Sequence, residues 1–172
     1  MTDKSPMIQM TAQQNIEHTT AMLVRNGRAT AAIPLGAVRE MLPACAVSPG
    51  RSFPDHVIGV FNLHGDVLPV IDLARLFRER PAVLHPRQRF AICSTARGDV
   101  AILVDEVVEF VSTTASRVLD VRTTIADAHR YVVVEGQVVP VLEPSEMLNG
   151  LDDFFTSALR EAELLQLEEE TL

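Results

Sequence analysis

The sequence predicts a mainly β protein made of two similar small β units, with short helices and a C-terminal amphipathic helix. Three observations carry this. The stretch Gly65-Asp66-Val67-Leu68-Pro69-Val70-Ile71-Asp72-Leu73 is echoed by Gly136-Gln137-Val138-Val139-Pro140-Val141-Leu142-Glu143-Pro144. Gly, Val, Pro and Val recur in register, and Asp72 is matched by Glu143. Two copies are too few for a solenoid and point to a duplicated unit. Second, the 172 residues are 47% hydrophobic but only 5% aromatic, so the core rests on Val, Ile and Leu, a usage that favours strands. Third, short apolar runs flank turn sequences at Asn26-Gly27 and at His64-Gly65-Asp66, the signature of hairpins, because these residues accept positive φ or cap their own turn.

In chain order, Met1 to about Thr19 is polar and aperiodic and reads as a flexible tail. Ala21–Val24 and Ala29–Ile33 form the first hairpin around Asn26-Gly27. Pro34–Leu42 reads as a short helix, with Pro34 at its start and Leu35, Val38 and Met41/Leu42 on one face. Pro43–Val47 continues as a strand, and residues 48–56 form a loop. Val57–Leu63 and Val67–Ile71 make the central hairpin. Pro69 lacks an N–H, so its strand is expected at an edge or out of the ladder at that point. Asp72 is placed to N-cap a helical turn carrying Leu73, Leu76 and Phe77.

Residues 78–88, with two prolines, read as the connection between halves of about 20–80 and 87–148. Phe90–Ser94 opens the second half, Ala96–Asp99 is a turn, and Val100–Val111 is a long strand that bends or bulges near Asp105-Glu106. Residues 112–128 are polar, with a helical turn expected around Ala115–Leu119. Tyr131–Glu135 and Gln137–Leu142 form the last hairpin. Residues 144–148 form a second short helix, with Glu143 expected to cap it as Asp72 caps the first. From 149 onward the period becomes helical. Leu151, Phe154, Phe155, Ala158, Leu159, Ala162 and Leu165 fall on one stripe, expected to pack on the chain's own β units, the alternative being a partner's groove.

Charge narrows the function classes. The net charge is −8, of which −6 lies in residues 151–172, leaving about −2 for the rest. Neither part offers the basic face that nucleic-acid binding requires. The absence of a long apolar run argues against membrane insertion, and the polar N-terminus against a secretory signal, so a cytoplasmic location is expected. Cys45 and Cys93 are expected reduced and buried, and the two lack neighbouring His for a zinc site. Asp105-Glu106 is a poor acid–base pair, because no third polar group is placed beside it by sequence. No catalytic residue, cofactor or metal site is expected.

The segment V-I-G-V-F-N-L-H-G-D-V-L-P-V-I-D-L (57–73) resembles the signature of the CheW-like chemotaxis coupling domain. V-R-E-M-L (38–42) resembles that family's helix before its third strand, A-I-L-V-D-E-V (101–107) its Val-Asp segment, and G-Q-V-V-P-V-L-E-P-S-E-M-L (136–148) its closing strand. The likeness runs from about Ala21 to Leu148. It implies two five-stranded, SH3-like β-barrels packed on each other. It also implies a non-catalytic adaptor that bridges the cytoplasmic tip of a methyl-accepting chemoreceptor to the regulatory domain of a CheA-type histidine kinase, with peripheral placement at the inner membrane through receptor arrays. On this resemblance the partner-contact residues are Val38, Glu40, Ile58, Gly59, Asn62, His64, Gly65, Val104 and Asp105. One departure stands out: the family's Arg is His64 here, where an ion pair with Glu40 competes with a plain exposed turn residue. Two other functions are weighed against coupling: a divergent regulator of a pilus or surface-sensing complex, and a small-molecule-binding β-barrel.

Overall fold

The computed structural model describes residues 19–50, 53–80, 84–113, 118–120 and 130–152. Among these residues, eleven strands fall into two sheets. The first sheet uses β1 (Thr19–Asn26), β2 (Ala29–Pro34), β8 (Glu106–Thr113), β9 (Val118–Asp120), β10 (Arg130–Val134) and β11 (Gln137–Val141) in the order β8-β1-β2-β11-β10-β9. The second uses β3 (Val38–Pro43), β4 (Val57–Leu63), β5 (Asp66–Asp72), β6 (Arg89–Thr95) and β7 (Gly98–Val104) in the order β3-β6-β7-β5-β4. One helical turn, α1 (Leu73–Leu76), follows β5, and 3-10 turns span Leu35–Ala37 and Glu146–Leu148.

The expected division at residues 78–88 is therefore corrected. β1 and β2 belong with β8–β11, and the whole of the second sheet is inserted between them. The crossovers are at Leu35–Ala37, where β2 passes into β3, and at Asp105, where β7 passes into β8. The internal repeat survives in this interleaved form. Hairpin β4–β5 corresponds to β10–β11, and hairpin β6–β7 to β1–β2. In each unit one parallel pairing joins the two hairpins: Val70 faces Ala101, and Val141 faces Ala32.

Pro69 and Pro140 immediately precede those two parallel partners. β5 is an internal strand, so of the two expectations for Pro69 it is the second that holds: the residue stands outside the ladder with β7. A proline is tolerated there because the pairing with β7 begins one residue later, at Val70, so the missing N–H is never asked for on that side.

The core has three parts, which is why several strands are apolar on both faces. Along β1, Ala21 and Leu23 point into the first sheet's own core, while Met22 and Val24 point between the sheets. Along β6, Phe90 and Ile92 fill the second sheet's interior, while Ala91 and Cys93 face the first sheet. Phe61 and Phe90 pack in that interior with ring centroids 4.9 Å apart. Leu148 and Leu151 close the layer between sheets.

Other expectations change locally. Val38–Leu42 is strand, with only Leu35–Ala37 helical, because Val38–Pro43 pairs antiparallel with β6 and that ladder outweighs a helix of barely two turns. Cys93 is buried as expected but Cys45 is exposed, past the end of β3. Glu143 does not cap the second turn with its side chain; it pairs with Arg130 at 3.0 Å. The expected break at Asp105 is real, but the bulge lies further on, at the register shift opposite Leu23/Val24. Val118 and Leu119 are strand; the remainder of the expected turn around 115–119, the N-terminal tail and the helix beyond Asp152 lie outside the described residues.

Candidate docking surface

The β4–β5 hairpin carries most of the residues singled out from sequence. His64 and Gly65 both have positive φ, 54° and 102°, so the two-residue turn has the twist that adjacent strands favour. Asn62 Oδ1 accepts from the Gly65 N–H at 2.7 Å and braces the turn. Asn62, His64, Gly65, Asp66 and Val67 are exposed, and Val67 shows 49% of its surface. Its counterpart in the repeat, Val138, shows 59%. Both units thus present an apolar residue beside a hairpin tip.

Gly59 shapes this hairpin from within. It is buried at φ +152°, and an added Cβ would lie 2.3 Å from the Ser48 carbonyl oxygen. That contact is the bridge that ties the post-β3 loop to β4, with Ser48 N–H to Val60 O at 2.8 Å and the reverse bond at 2.9 Å. Only glycine lets the two backbones approach this closely. Ile58, half-buried, packs on the second sheet's core.

On β3, Val38 is half-buried against the layer between the sheets. Glu40 is engaged by its neighbour Arg39 at 3.6 Å, and Arg39 also donates to Asp99 Oδ2 at 2.7 Å. Asp99 holds the Arg39 proton more firmly than usual, with Glu40 and Asp66 adding to the effect. No Glu40–His64 ion pair forms among the described residues: Glu40 pairs with Arg39, and β3 and the β4–β5 hairpin stand at opposite ends of the second sheet's strand order. Arg39 and Asp99 had no sequence signal, since sixty positions separate them.

Val104 and Asp105 do not lie on a free surface. Val104 is fully buried between the sheets. Asp105 has both oxygens committed: Oδ2 accepts from the Gly27 N–H at 2.7 Å and Oδ1 from Gln88 Nε2 at 2.9 Å. These two residues shape the crossover from β7 to β8.

What sequence reading missed lies just beyond. Phe110 shows 60% of its surface, and Val107 and Val108 are also exposed. Phe110 pairs with Met22 and Val107 with Val24, so both lie on the side of β8 that continues the inter-sheet layer past its edge. The bulge near Val108 is what puts two residues three apart on one side. An unevenly spaced bulge leaves no mark in an alternation pattern. The only available signal was Phe110 itself, an aromatic among acids.

A buried polar contact sits between the two surfaces. Asn26 Nδ2 donates to Asp72 Oδ1 at 3.0 Å and to the Leu103 carbonyl at 3.1 Å. Asp72 also accepts from the Ala74 N–H at 2.9 Å, capping α1 as expected. Burial pushes the Asp72 carboxyl up, against the opposing pull of the Ala74 and Arg75 N–H groups and the Arg75 charge. Among the described residues no group of His, Cys, Asp and Glu is arranged to hold a metal, and no helix is long and apolar enough to cross a membrane.

Comparison with known proteins agrees with this architecture. Residues 20–152 match the family model of the CheW-like domain. The chain is 27% identical over 131 residues to a chemotaxis protein CheW of Rhizobium meliloti, covering 73% of this chain and 80% of that one. It is 35% identical over 77 residues to a probable chemotaxis protein CheW of Rhizobium etli, a match spanning 45% of this chain and 48% of the relative's length. The crystal structure of the scaffolding protein TtCheW from Thermoanaerobacter tengcongensis superposes with a TM-score of 0.65 at 17% identity, over 76% of this chain and 88% of that one. That likeness shows the fold, two packed β-barrel units, and with the match over residues 20–152 the chain belongs to the CheW-like domain family.

Proposed function

We propose that the protein is a non-catalytic adaptor that couples chemoreceptors to a CheA-type histidine kinase in a chemotaxis or related motility pathway. The observation that carries this reading is a CheW-like domain with two separate exposed apolar surfaces. One is the β4–β5 hairpin with Val67 at its flank. The other is the side of β8 that carries Val107 and Phe110. The hairpin meets the regulatory domain of the kinase. The β8 surface meets the helical tip of a methyl-accepting receptor, which offers the apolar stripe that an exposed aromatic seeks. Rim charges at Arg25, Arg39 and Glu106 set orientation more than affinity. The protein acts at the cytoplasmic face of the membrane, held there by its receptor and without inserting itself. Coupling is thermodynamic: whatever receptor state binds better also favours the kinase state that shares the complex.

Isothermal titration calorimetry of the full chain against the regulatory domain of the cognate kinase, and against a soluble receptor-tip fragment, tests the reading. Saturable binding of both is expected. Absence of heat with every chemotaxis-type kinase and receptor of the same genome overturns it.

A further inference from the structure

The apolar layer between the sheets is non-directional, but the contact through Asn26 and Asp72 is not. Asn26 ends β1 directly after Val24 and Arg25, which face Val107 and Glu106 of β8. Asp72 ends β5, whose other end forms the exposed hairpin flank at Asp66 and Val67. The Asp72 N–H is also bonded to the His56 carbonyl at 2.9 Å, just ahead of β4, so Asp72 grips both strands of that hairpin. Asn26 is fully buried, and its Oδ1 accepts no hydrogen bond from the described residues. A buried polar group is costly to leave unpaired, so the bonds from Asn26 to Asp72 and to the Leu103 carbonyl resist a shift between the sheets far more sharply than apolar packing does. Packed cores switch between discrete arrangements; they do not deform smoothly.

We infer that the Asn26–Asp72 contact is the joint through which a partner bound at β8 alters the affinity of the β4–β5 hairpin for its own partner. The path is short and continuous: Val107 to Val24 by strand pairing, Val24 to Asn26 along β1, Asn26 to Asp72 by the buried hydrogen bond, and Asp72 to Val67 along β5. Asn26 and Asp72 touch neither partner; they are positioning residues. The inference rests on the adaptor reading above, and the test separates the two.

The measurement is the affinity of the full chain for the kinase regulatory domain, with and without saturating receptor-tip fragment. In the unaltered chain the fragment changes that affinity by about fivefold or more. Asn26→Ala brings the change below about twofold while each single-partner affinity stays within about twofold, since neither surface is touched. Asn26→Ser, which keeps a small polar group but shortens its reach to Asp72, does the same and stands in if the alanine variant fails to fold. Asp72→Asn preserves an acceptor for Asn26 and for the Ala74 N–H, and it retains the coupling. Val139→Ala loosens the first sheet's core away from the joint and also retains it. Coupling that persists in both Asn26 variants, or that is lost equally in Val139→Ala, overturns the inference. So does binding of both partners with no coupling in the unaltered chain, an outcome that leaves the adaptor reading standing. Failure of both partners to bind overturns the two together.

Discussion

Asp72 shows how a single side chain can be both necessary and costly. Its folded-state carboxyl is raised mainly by burial, so the fold favours the protonated form. The sign follows: this contribution to stability is fully present below the unfolded-state value of about 3.9 and is lost as pH rises through the higher folded-state value. Asp72→Asn keeps the cap and the Asn26 bond but cannot ionise. Its stability relative to the unaltered chain should therefore climb with pH across the acid range and then level off, read from urea midpoints at a series of pH values. A pH-independent difference would show that ionised Asp72 is not under strain. The two cysteines make a second residue-scale contrast. Burial pushes the Cys93 thiol up to about 12, whereas Cys45 is exposed. A thiol reagent at neutral pH should label Cys45 alone in the native protein and both after unfolding. Rapid native labelling of Cys93 would contradict its place between the sheets.

At the scale of elements, the hairpin around His64 was legible because its cues are local: Gly65 for the turn, alternating apolar residues for the strands, Asp72 for the cap. The closure of β4 on Ser48 was not, because it depends on two backbones meeting across a loop. Gly59 is the test of that closure. Gly59→Ala forces an L-residue to φ +152° against the Ser48 carbonyl, and it should lower stability by about 1–3 kcal/mol. Gly36→Ala, with open space around it and ordinary φ, should stay within about 0.5 kcal/mol. Thermal melts of the pair check this, and equal melting temperatures would mean that the bridge is dispensable. The β8 surface predicts the opposite pattern. Phe110→Ala removes an exposed ring, so stability should stay within about 0.5 kcal/mol. Affinity for the receptor-tip fragment should fall about tenfold, the loss typical of an interface anchor. The misreading of Val38–Leu42 as helix belongs to this scale too. Five residues spaced for either structure are decided by whichever neighbour offers a ladder, and β6 offers one.

For the whole molecule, the repeat was visible in the sequence but its wiring was not. Gly-x-Val-x-Pro-Val recurs in two places, and the natural inference is two consecutive halves. The structure interleaves them, because each parallel pairing inside a unit joins strands that are distant in the chain: β2 with β11, and β5 with β7. Self-similarity identifies equivalent hairpins; it cannot say which other hairpin each one pairs with, since that choice is made by burial of whole faces. The interleaving has a consequence for folding. The first sheet cannot form until β8–β11 return to β1 and β2, and the layer between the sheets draws Met22, Ile71, Ile102 and Leu148 from four separate stretches. Cutting the chain in the connection after Glu79-Arg80 therefore leaves both fragments incomplete: the N-terminal piece holds β1–β5 without β6 and β7, and the C-terminal piece lacks the β1–β2 hairpin. Each piece alone should show little cooperative unfolding, the two should regain strand content only when mixed, and the intact chain should melt in a single transition with coincident calorimetric and spectroscopic midpoints. An N-terminal fragment that melts cooperatively alone would restore the picture of two consecutive barrels. It would also weaken the case for a buried joint, because a unit that folds without its neighbour has no need of Asn26 to set its place.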